Sequence, residues 1–587
     1  MQKRWDVLPS PPDSFFEQFP ELPRTVASLL YHRDIRTQDA IDEFLNPDYT
    51  CHVHDPFLFK DMKKAVSRLI DAVKKNEKIT IHGDYDADGV SASVILTDTL
   101  HALGATAVDV FLPHRETDGY GLNMKTIDLL HAQETSLIIT CDCGISNTAE
   151  VEYANEKGID VIITDHHSIP ERLPPAFAII HPKVEGETYP YKHLAGGGVA
   201  FKLAQALLRT HAEKNELLES GENHEAFEKW LLDMVAIASV ADMVPLVGES
   251  RTLTTFGLIV LNKTKRIGLQ KLLLEARLMN EDGSLTRELD AQTIGFRIAP
   301  RINAAGRLDH ANTAYQLLVT KDGTEAVDLA WQLNQSNDER RRMTDEFVTE
   351  AIQQVRQKQM DKPVLFVYAP GWASGVVGLI ASQIKNEFQK PVFAMTMKDD
   401  SEFMGSGRSV EGFNMIEALQ QMPHFFSKFG GHPMACGFTL ASPDIREEFE
   451  NAFIDYFLDV TKDIDLTPTI KIDAQIDLEQ VNWGLYELLG RFKPFGQANE
   501  EPKYLAQNVT VVGVEPVGKE GKHLRIMITH TSTTIRKTIG WNLCSGEIDW
   551  SRELSKGDVL DIVFEIGVNE WNGNRELQMT IVDLKKK

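Results

Sequence analysis

The stretch Ile81-His82-Gly83-Asp84-Tyr85-Asp86-Ala87-Asp88-Gly89 packs three aspartates into five residues, directly after the β-branched run Ile79-Thr80-Ile81. Such a run reads as a buried strand, and carboxylates crowded at its exit repel one another unless a positive charge lies among them. A divalent cation held by oxygen ligands supplies that charge, and a helix opening near Asp88 adds the favourable end of its dipole. Taken alone, the motif is also compatible with an Asx turn capping that helix.

Further short β-branched runs at 108–112, 137–140 and 161–164 alternate with helical stretches at 91–103 and 124–131. This rhythm predicts a parallel α/β sheet, with ligands beyond the carboxyl ends of its strands. Asp142, in Thr140-Cys141-Asp142-Cys143-Gly144, stands at such an end, and Ile163-Thr164-Asp165-His166-His167 brings two imidazoles to the next one. Asp242 closes an apolar helix that begins near Trp230. A single helix-end Asp is an ordinary cap and a lone His pair says little. Four ligand clusters at successive element ends predict a dinuclear metal site. Phosphoester hydrolysis is the chemistry such a centre serves, since it acidifies a water and stabilises the departing oxygen. The chain has neither a His-Glu-x-x-His nor a Gly-x-x-x-x-Gly-Lys-Ser/Thr motif, which argues against zinc-peptidase and P-loop chemistry.

The rest of the chain organises around that lobe. Helical segments at 25–30 and 37–45 read as an N-terminal extension, 195–319 is mainly helical, and 324–360, polar and free of Pro and Gly, predicts one long helix between lobes. A second, smaller α/β pattern (strands at 364–368 and 392–395, helices at 376–388 and 445–458) gives way beyond 467 to short strands at 509–514, 524–529, 559–566 and 577–582. Those strands suit a small barrel of OB type. The expected division is 1–60 extension, 61–322 catalytic lobe, 323–360 connecting helix, 361–462 second lobe and 463–587 barrel.

Composition bears on the partner. Lys+Arg number 61 against Asp+Glu 86, a net charge of −25, so the global field repels nucleic acid and any polyanion must meet a local basic groove. The five cysteines lack paired spacing and read as reduced thiols. With no run of about 18 apolar residues and no basic-apolar leader, the expectation is a cytoplasmic protein without a membrane segment.

These motifs resemble the DHH phosphoesterase superfamily, named for the triplet found here as Asp165-His166-His167, and within it the branch of single-strand-specific DNA exonucleases. The likeness to that branch extends to Pro113-His114-Arg115, Gly119-Tyr120-Gly121-Leu122-Asn123, Ala299-Pro300-Arg301-Ile302-Asn303-Ala304-Ala305-Gly306-Arg307-Leu308 and Glu339-Arg340-Arg341. The second lobe, with Gly405-Ser406-Gly407-Arg408-Ser409 and Gly430-Gly431-His432-Pro433-Met434-Ala435-Cys436-Gly437, is similar to the family's DHH-associated domain. Read as turns, these glycine runs expose backbone N–H groups that cradle a phosphate beside Ser406 and Arg408.

The resemblance implies two divalent ions, manganese preferred and magnesium admissible, on Asp86, Asp88, Asp142, His166 and Asp242, with Asp84 and His82 as additional candidates. It implies that His167, and His82 in a second role, serve the reaction. It implies that Arg115, Ser406 and Arg408 grip a terminal 5′-phosphate, so that digestion runs 5′ to 3′ and yields 5′-mononucleotides in DNA repair and recombination. Arg301, Asn303, Arg307 and His432 would contact DNA near the cleft, and Lys519, Lys522, Arg525 and Trp571 would hold single strand on the barrel. A helicase and a single-strand-binding protein are partners implied by the family only, for a chain expected to be a monomer. Ala373 stands where the family commonly has His, and Gly407 and Cys436 are smaller departures. Two other readings stay open: a phosphodiesterase of short oligonucleotides or cyclic dinucleotides, and a non-catalytic replication factor on the same fold.

Overall fold

Strands Ile79–Gly83 and Leu137–Cys141 are buried along their whole length. Both faces of their sheet are therefore covered, and such strands carry continuous apolar runs instead of alternation. In the computed structural model, which describes residues 3–398, 402–530, 534–546, 548–571 and 574–587, they lie at the centre of a five-stranded parallel sheet. Its order is Val108–Phe111, Ile79–Gly83, Leu137–Cys141, Asp160–Thr164, Ala178–Ile180. Helix Ala87–Ala102 is buried on nearly every side, between this sheet and helices Gly196–Ala212 and Leu232–Ala241. That is why its apolar residues form no stripe. Every strand points its carboxyl end to one edge, where the acidic and histidine motifs collect.

Helix Gly323–Lys358, 36 residues long, leaves the catalytic lobe and packs its far end on Leu365–Tyr368 and Ser374–Phe388 of the second lobe. The second lobe is a mixed sheet in the order Phe426–His432, Ala435–Leu440, Glu402–Arg408, Val392–Lys398, Leu365–Tyr368, in which only the last two strands run parallel.

This sheet corrects one expectation. Gly405-Ser406-Gly407-Arg408 is no turn: it lies in the central strand Glu402–Arg408, paired on both sides, so its backbone N–H groups belong to the ladder and form no phosphate cradle. The glycines have a packing cause. A Cβ on Gly405 would stand 2.5 Å from the Phe438 ring, and one on Gly407 would stand 2.4 Å from Met415 Sδ and 2.5 Å from Cys436 Sγ. Whatever phosphate binding occurs here falls to the side chains of Ser406 and Arg408.

The C-terminal strands Tyr504–Val517, His523–Thr529, Arg536–Gly540, Asn574–Lys586 and Val559–Trp571 close into a barrel through pairing of the first with the last. Its core is not its own. Phe15, Phe19, Val26, Leu29, Leu30, Ile41 and Phe44 are buried in one cluster with Leu489, Phe492, Tyr504, Ile526, Ile562 and Phe564. Strand Arg4–Val7 pairs with Thr469–Ile472, and Trp5 Nε1 donates to Asp583 Oδ2 at 2.7 Å. Within the segment 1–60, the helices up to Leu45 bury their apolar faces against the barrel, whereas Tyr49 and Phe59 join the core of the catalytic lobe. Among the described residues, no helix is long and apolar enough to cross a membrane.

One side chain joins barrel and catalytic lobe. Arg251, 1% exposed on helix Gly248–Leu261, donates to the carbonyls of Phe44, Arg491, Phe492, Lys493 and Pro494, and its guanidinium lies 4.1 Å from the Phe44 ring centre. Burial, aided by the charge of Arg33, brings it down to about 9. Carbonyl dipoles, not an acid, hold this cation. Substituting Arg251→Met removes all five hydrogen bonds, and we expect a loss on the order of 3 kcal/mol or more, read as a lower unfolding midpoint and faster proteolytic release of the barrel.

Candidate metal centre and phosphate cleft

The sheet edge brings the predicted acids and imidazoles into three overlapping groups: Asp84, Asp86 and Asp142; Asp88, His166 and Asp242; and Asp142, His166 and His167. Within each group one ligand atom per residue lies within 4.8 Å of the others. Asp142 belongs to two groups and so stands between two potential ion positions. Its backbone is left-handed, with φ +62, a conformation that costs energy outside glycine, and it is held there by donation of its N–H to Thr164 O at 2.9 Å. The following loop residue, Gly144 at φ +108, completes the sharp corner after the strand.

The donor set fits divalent cations. His166 Nε2 lies 3.1 Å from Asp142 Oδ1, 3.5 Å from Asp242 Oδ2 and 3.8 Å from Asp88 Oδ2, yet neither His166 Nε2 nor Asp142 Oδ1 makes an aligned hydrogen bond. Asp84 Oδ1 is likewise buried without a partner. Acceptors facing one another in this way need a positive charge between them. The same crowding shows in protonation. Burial, then neighbouring carboxylates, push Asp84, Asp88 and Asp142 well above the usual range. Burial and Asp86 lift Asp242 to about 7. Burial, reinforced by His167, lowers His166 to about 3, leaving the neutral imidazole a metal ligand requires.

Neighbours fix these ligands. Helix Gly196–Ala212 opens onto Asp88, whose carboxylate accepts from the Gly196 and Gly197 N–H groups at 2.8 and 2.6 Å. A Cβ on Gly196 would meet the Asp142 side chain at 2.5 Å, and one on Gly197 would meet Ala238 Cβ at 2.5 Å. Sequence reasoning passed over this triplet, although three glycines opening a helix are themselves a sign of close backbone approach. Asp165, outside the ligand groups, accepts from the backbone of Ile145, His166 and His167 and lies 2.8 Å from His167 Nδ1. Burial opposes charge on both partners, but their mutual contact prevails, and His167 rises to about 9 while Asp165 falls to about 2. Tyr120, also unassigned from sequence, donates its hydroxyl to Asp142 O and lies 3.1 Å from His167 Nδ1. His82 enters none of the ligand groups: it is fully buried, stacked on Phe111, 3.8 Å from Cys143 Sγ and lowered by burial to about 4.

A cationic wall faces the acids. Arg115 lies over the Tyr85 ring with a buried, unpartnered Nε, and Arg307 donates to Gly375 O of the second lobe at 2.8 Å. Burial and the charges of Arg115, Arg340 and Arg408 bring Arg307 down to about 10, with Asp86 acting the other way. Arg408 donates to Ser406 Oγ at 2.6 Å and to Ser382 Oγ at 3.0 Å. Among the described residues none of these arginines has an acid within ion-pair distance, in a chain of net charge −25.

The remaining residues expected to contact DNA have these surroundings. Asn303 Oδ1 accepts from Ala87 N at 2.7 Å, so this side chain positions the aspartate loop. Arg301, 7% exposed, donates to Asn334 Oδ1 and Arg297 O. His432 is exposed at the end of strand Phe426–His432. On the barrel, Lys522 pairs with Glu520 and Arg525 with Glu515, while Lys519 opens a short exposed turn. The side chain of Trp571 lies outside the described residues.

Two outcomes follow from this geometry. Gly196→Ala should cost roughly 10- to 100-fold in Mn²⁺ affinity by calorimetric titration, with the far-ultraviolet circular dichroism unchanged. Asp242 must shed a proton near pH 7 to bind, and Asp84, Asp88 and Asp142 shed theirs above the usual range. Metal affinity should therefore fall on acidification below about 7, by at least about tenfold per pH unit, and Asp242→Asn should flatten that slope.

Comparison with known proteins matches this arrangement. Residues 78–239 match the DHH family N-terminal domain, 361–459 the DHHA1 domain and 472–583 the RecJ OB domain. The single-stranded-DNA-specific exonuclease RecJ of Bacillus subtilis is 37% identical over 99% of this chain and 70% of its own length. That of Dickeya dadantii is 33% identical over 96% of each. The crystal structure of RecJ in complex with Mn²⁺ from Thermus thermophilus superposes with a TM-score of 0.82 at 27% identity, covering all of this chain and 80% of that one. A Mg²⁺ complex from the same organism gives 0.76 at 25%, covering all of this chain and 78% of that one. With relatives this similar from end to end and a donor set built for divalent metal, the chain belongs to the RecJ family of the DHH phosphoesterases.

Proposed function

We propose that this chain hydrolyses single-stranded DNA from its 5′ end to 5′-mononucleotides, using two divalent ions, with manganese preferred over magnesium. The observation that carries the reading is the placing of two opposite charge clusters within mutual influence but out of contact: the Asp84–Asp242 ligand groups and the unpaired arginines Arg115, Arg307 and Arg408. Together they suit a phosphodiester, whose bridging region needs cations from the metals and whose free oxygens need guanidiniums. Relatives named as single-stranded-DNA-specific exonucleases support the polymer substrate.

Bound ions would supply an acidified water and charge for the departing oxygen. The chain's own groups set everything around that step. Asp86, Asp88, Asp142, His166 and Asp242, with Asp84, hold the ions, and Asp142 aligns the two positions. His167, held at Nδ1 by Asp165, hydrogen-bonds a phosphoryl oxygen. Arg115, Ser406 and Arg408 close on the terminal 5′-phosphate, which sets the polarity. Arg307, tied to Gly375 across the lobes, and Ser374, bonded to Glu116, keep the cleft too narrow for duplex. The barrel holds the strand ahead of the cut. In the cell we place the enzyme in cytoplasmic DNA repair and recombination, as a monomer supplied by a helicase and a single-strand-binding protein.

The test is Mn²⁺-dependent digestion of single-stranded DNA labelled at either end, beside duplex, RNA and a cyclic dinucleotide. Mononucleotides should leave from the 5′ label only, and Asp142→Ala should abolish their release. Activity confined to dinucleotides would replace the reading with the small-substrate one, and binding without hydrolysis would replace it with a non-catalytic role. Rates with Mg²⁺ equal to those with Mn²⁺ across a titration would overturn the metal preference.

A further inference from the structure

Beyond the 5′-phosphate clamp, a second set of arginines lacks acid partners. Arg301 feels the charges of Arg297, Arg341 and Arg340 around it, with Asp338 acting the other way. Among the described residues none of these four has a carboxylate at ion-pair distance, although Arg342, the next residue, pairs with both Glu339 and Glu346. Their contacts are neutral. Arg301 donates to Asn334 Oδ1 at 3.0 Å, Arg340 to Asn337 Oδ1 at 3.0 Å, and Arg297 to Ala276 O. Amide and carbonyl oxygens hold a guanidinium in place without cancelling its charge, and Asn337 is itself buried to do so. The Nε of Arg340 is buried with no partner.

Helices Ala299–Leu308 and Gly323–Lys358 pack side by side and carry Arg301, Arg340 and Arg341, while Arg297 lies in the turn that precedes the first of them. From Arg297 to Arg307, where the row meets the clamp, is about 15 Å of helix. At its far end the backbone makes the π-helical turn Ile294–Ile298, a rare form that re-aims side chains and recurs at functional sites. This turn leaves Phe296 75% exposed, the barest large apolar side chain among the described residues. It adjoins the end of the helix that delivers Asp242, since the Cβ position of Gly295 lies 3.8 Å from Val240.

We infer that the row Arg297, Arg301, Arg341 and Arg340 carries the phosphates of the strand beyond its anchored 5′ end, and that Phe296 is a platform on which one of its bases stacks. The inference rests on the exonuclease reading above and adds how the enzyme grips an internal stretch of strand. Unpaired guanidiniums tracking a backbone, with an exposed ring beside them, are the two parts sequence-independent single-strand binding requires. The row also gives the long helix a share in the grip as well as in joining the lobes.

Arg341 and Phe296 are exposed, so Arg341→Gln and Phe296→Ala should leave the fold intact. On 5′-phosphorylated oligonucleotides lengthened at the 3′ end, the deficit of either variant in kcat/KM should grow with added nucleotides and appear in KM. Arg341→Gln should reduce the slope of log affinity against log salt by about 0.7, measured by fluorescence anisotropy. Phe296→Ala should weaken binding roughly 5- to 150-fold, and one abasic nucleotide, stepped along the strand, should erase the difference from the wild type at a single position. Unchanged salt slope for Arg341→Gln would overturn the phosphate row, and no such abasic position would overturn the platform. Wild-type binding without hydrolysis would sink the exonuclease reading instead, leaving the row to be judged by the same anisotropy slopes.

Discussion

Asp84, Asp88 and Asp142 are buried at one sheet edge with Asp86 and Asp242 beside them, and the repulsion among these carboxylates is the constraint around which the catalytic lobe is arranged. None can be ionised there without counter-charge, so the lobe supplies what neutral support it has: the N–H groups that open the Gly196 helix, the strained backbone of Asp142 and the Asn303 amide under the aspartate loop. The first and last of these bring backbone N–H groups close to a side-chain oxygen, and those approaches fall on Gly196, Gly197 and Ala87. The remaining imbalance is left for divalent metal.

The same logic explains why the arginines facing these acids stay apart from them. Had Arg115 or Arg307 formed ion pairs with Asp86 or Asp84, both charges would have been neutralised inside the protein. Instead Arg115 lies on Tyr85 and Arg307 bonds a backbone carbonyl across the lobes. Cations and anions are held within mutual influence but out of contact, leaving room for a phosphodiester between them. The strongly acidic composition, which argues against nucleic acid when averaged over the chain, coexists with a local surface of opposite sign because carboxylates have been withheld from that surface.

How far the sequence could be read depended on the range of the interactions involved. The acids and imidazoles that gather in the three groups were legible because each sits at the end of a short apolar strand or helix, a local pattern. The long helix, the second lobe and the barrel followed from periodicity in the same way. Glycine runs misled where packing, not turning, was their cause: Gly405 and Gly407 clear space for Phe438, Met415 and Cys436, residues that approach only once the sheet is paired. Asn303, a DNA contact implied by likeness to the family, accepts through Oδ1 from Ala87, 216 positions away, a bond that no local pattern marks. Arg251 gave no hint at all, since five carbonyl acceptors leave no mark on side-chain identity.

The pairing of the two chain ends has a consequence for biosynthesis. Phe15, Leu29, Leu30 and Phe44 leave the ribosome well before the barrel-side residues that bury them, which begin at Ile476. At about 5–20 residues per second, translation keeps these side chains waiting roughly half a minute to two minutes before their partners exist. The catalytic and second lobes have their own clusters and can fold in the meantime. Until the barrel strands are made, the segment holding these residues therefore presents an uncovered apolar surface of the kind chaperones recognise, and any product truncated before the barrel exposes it permanently.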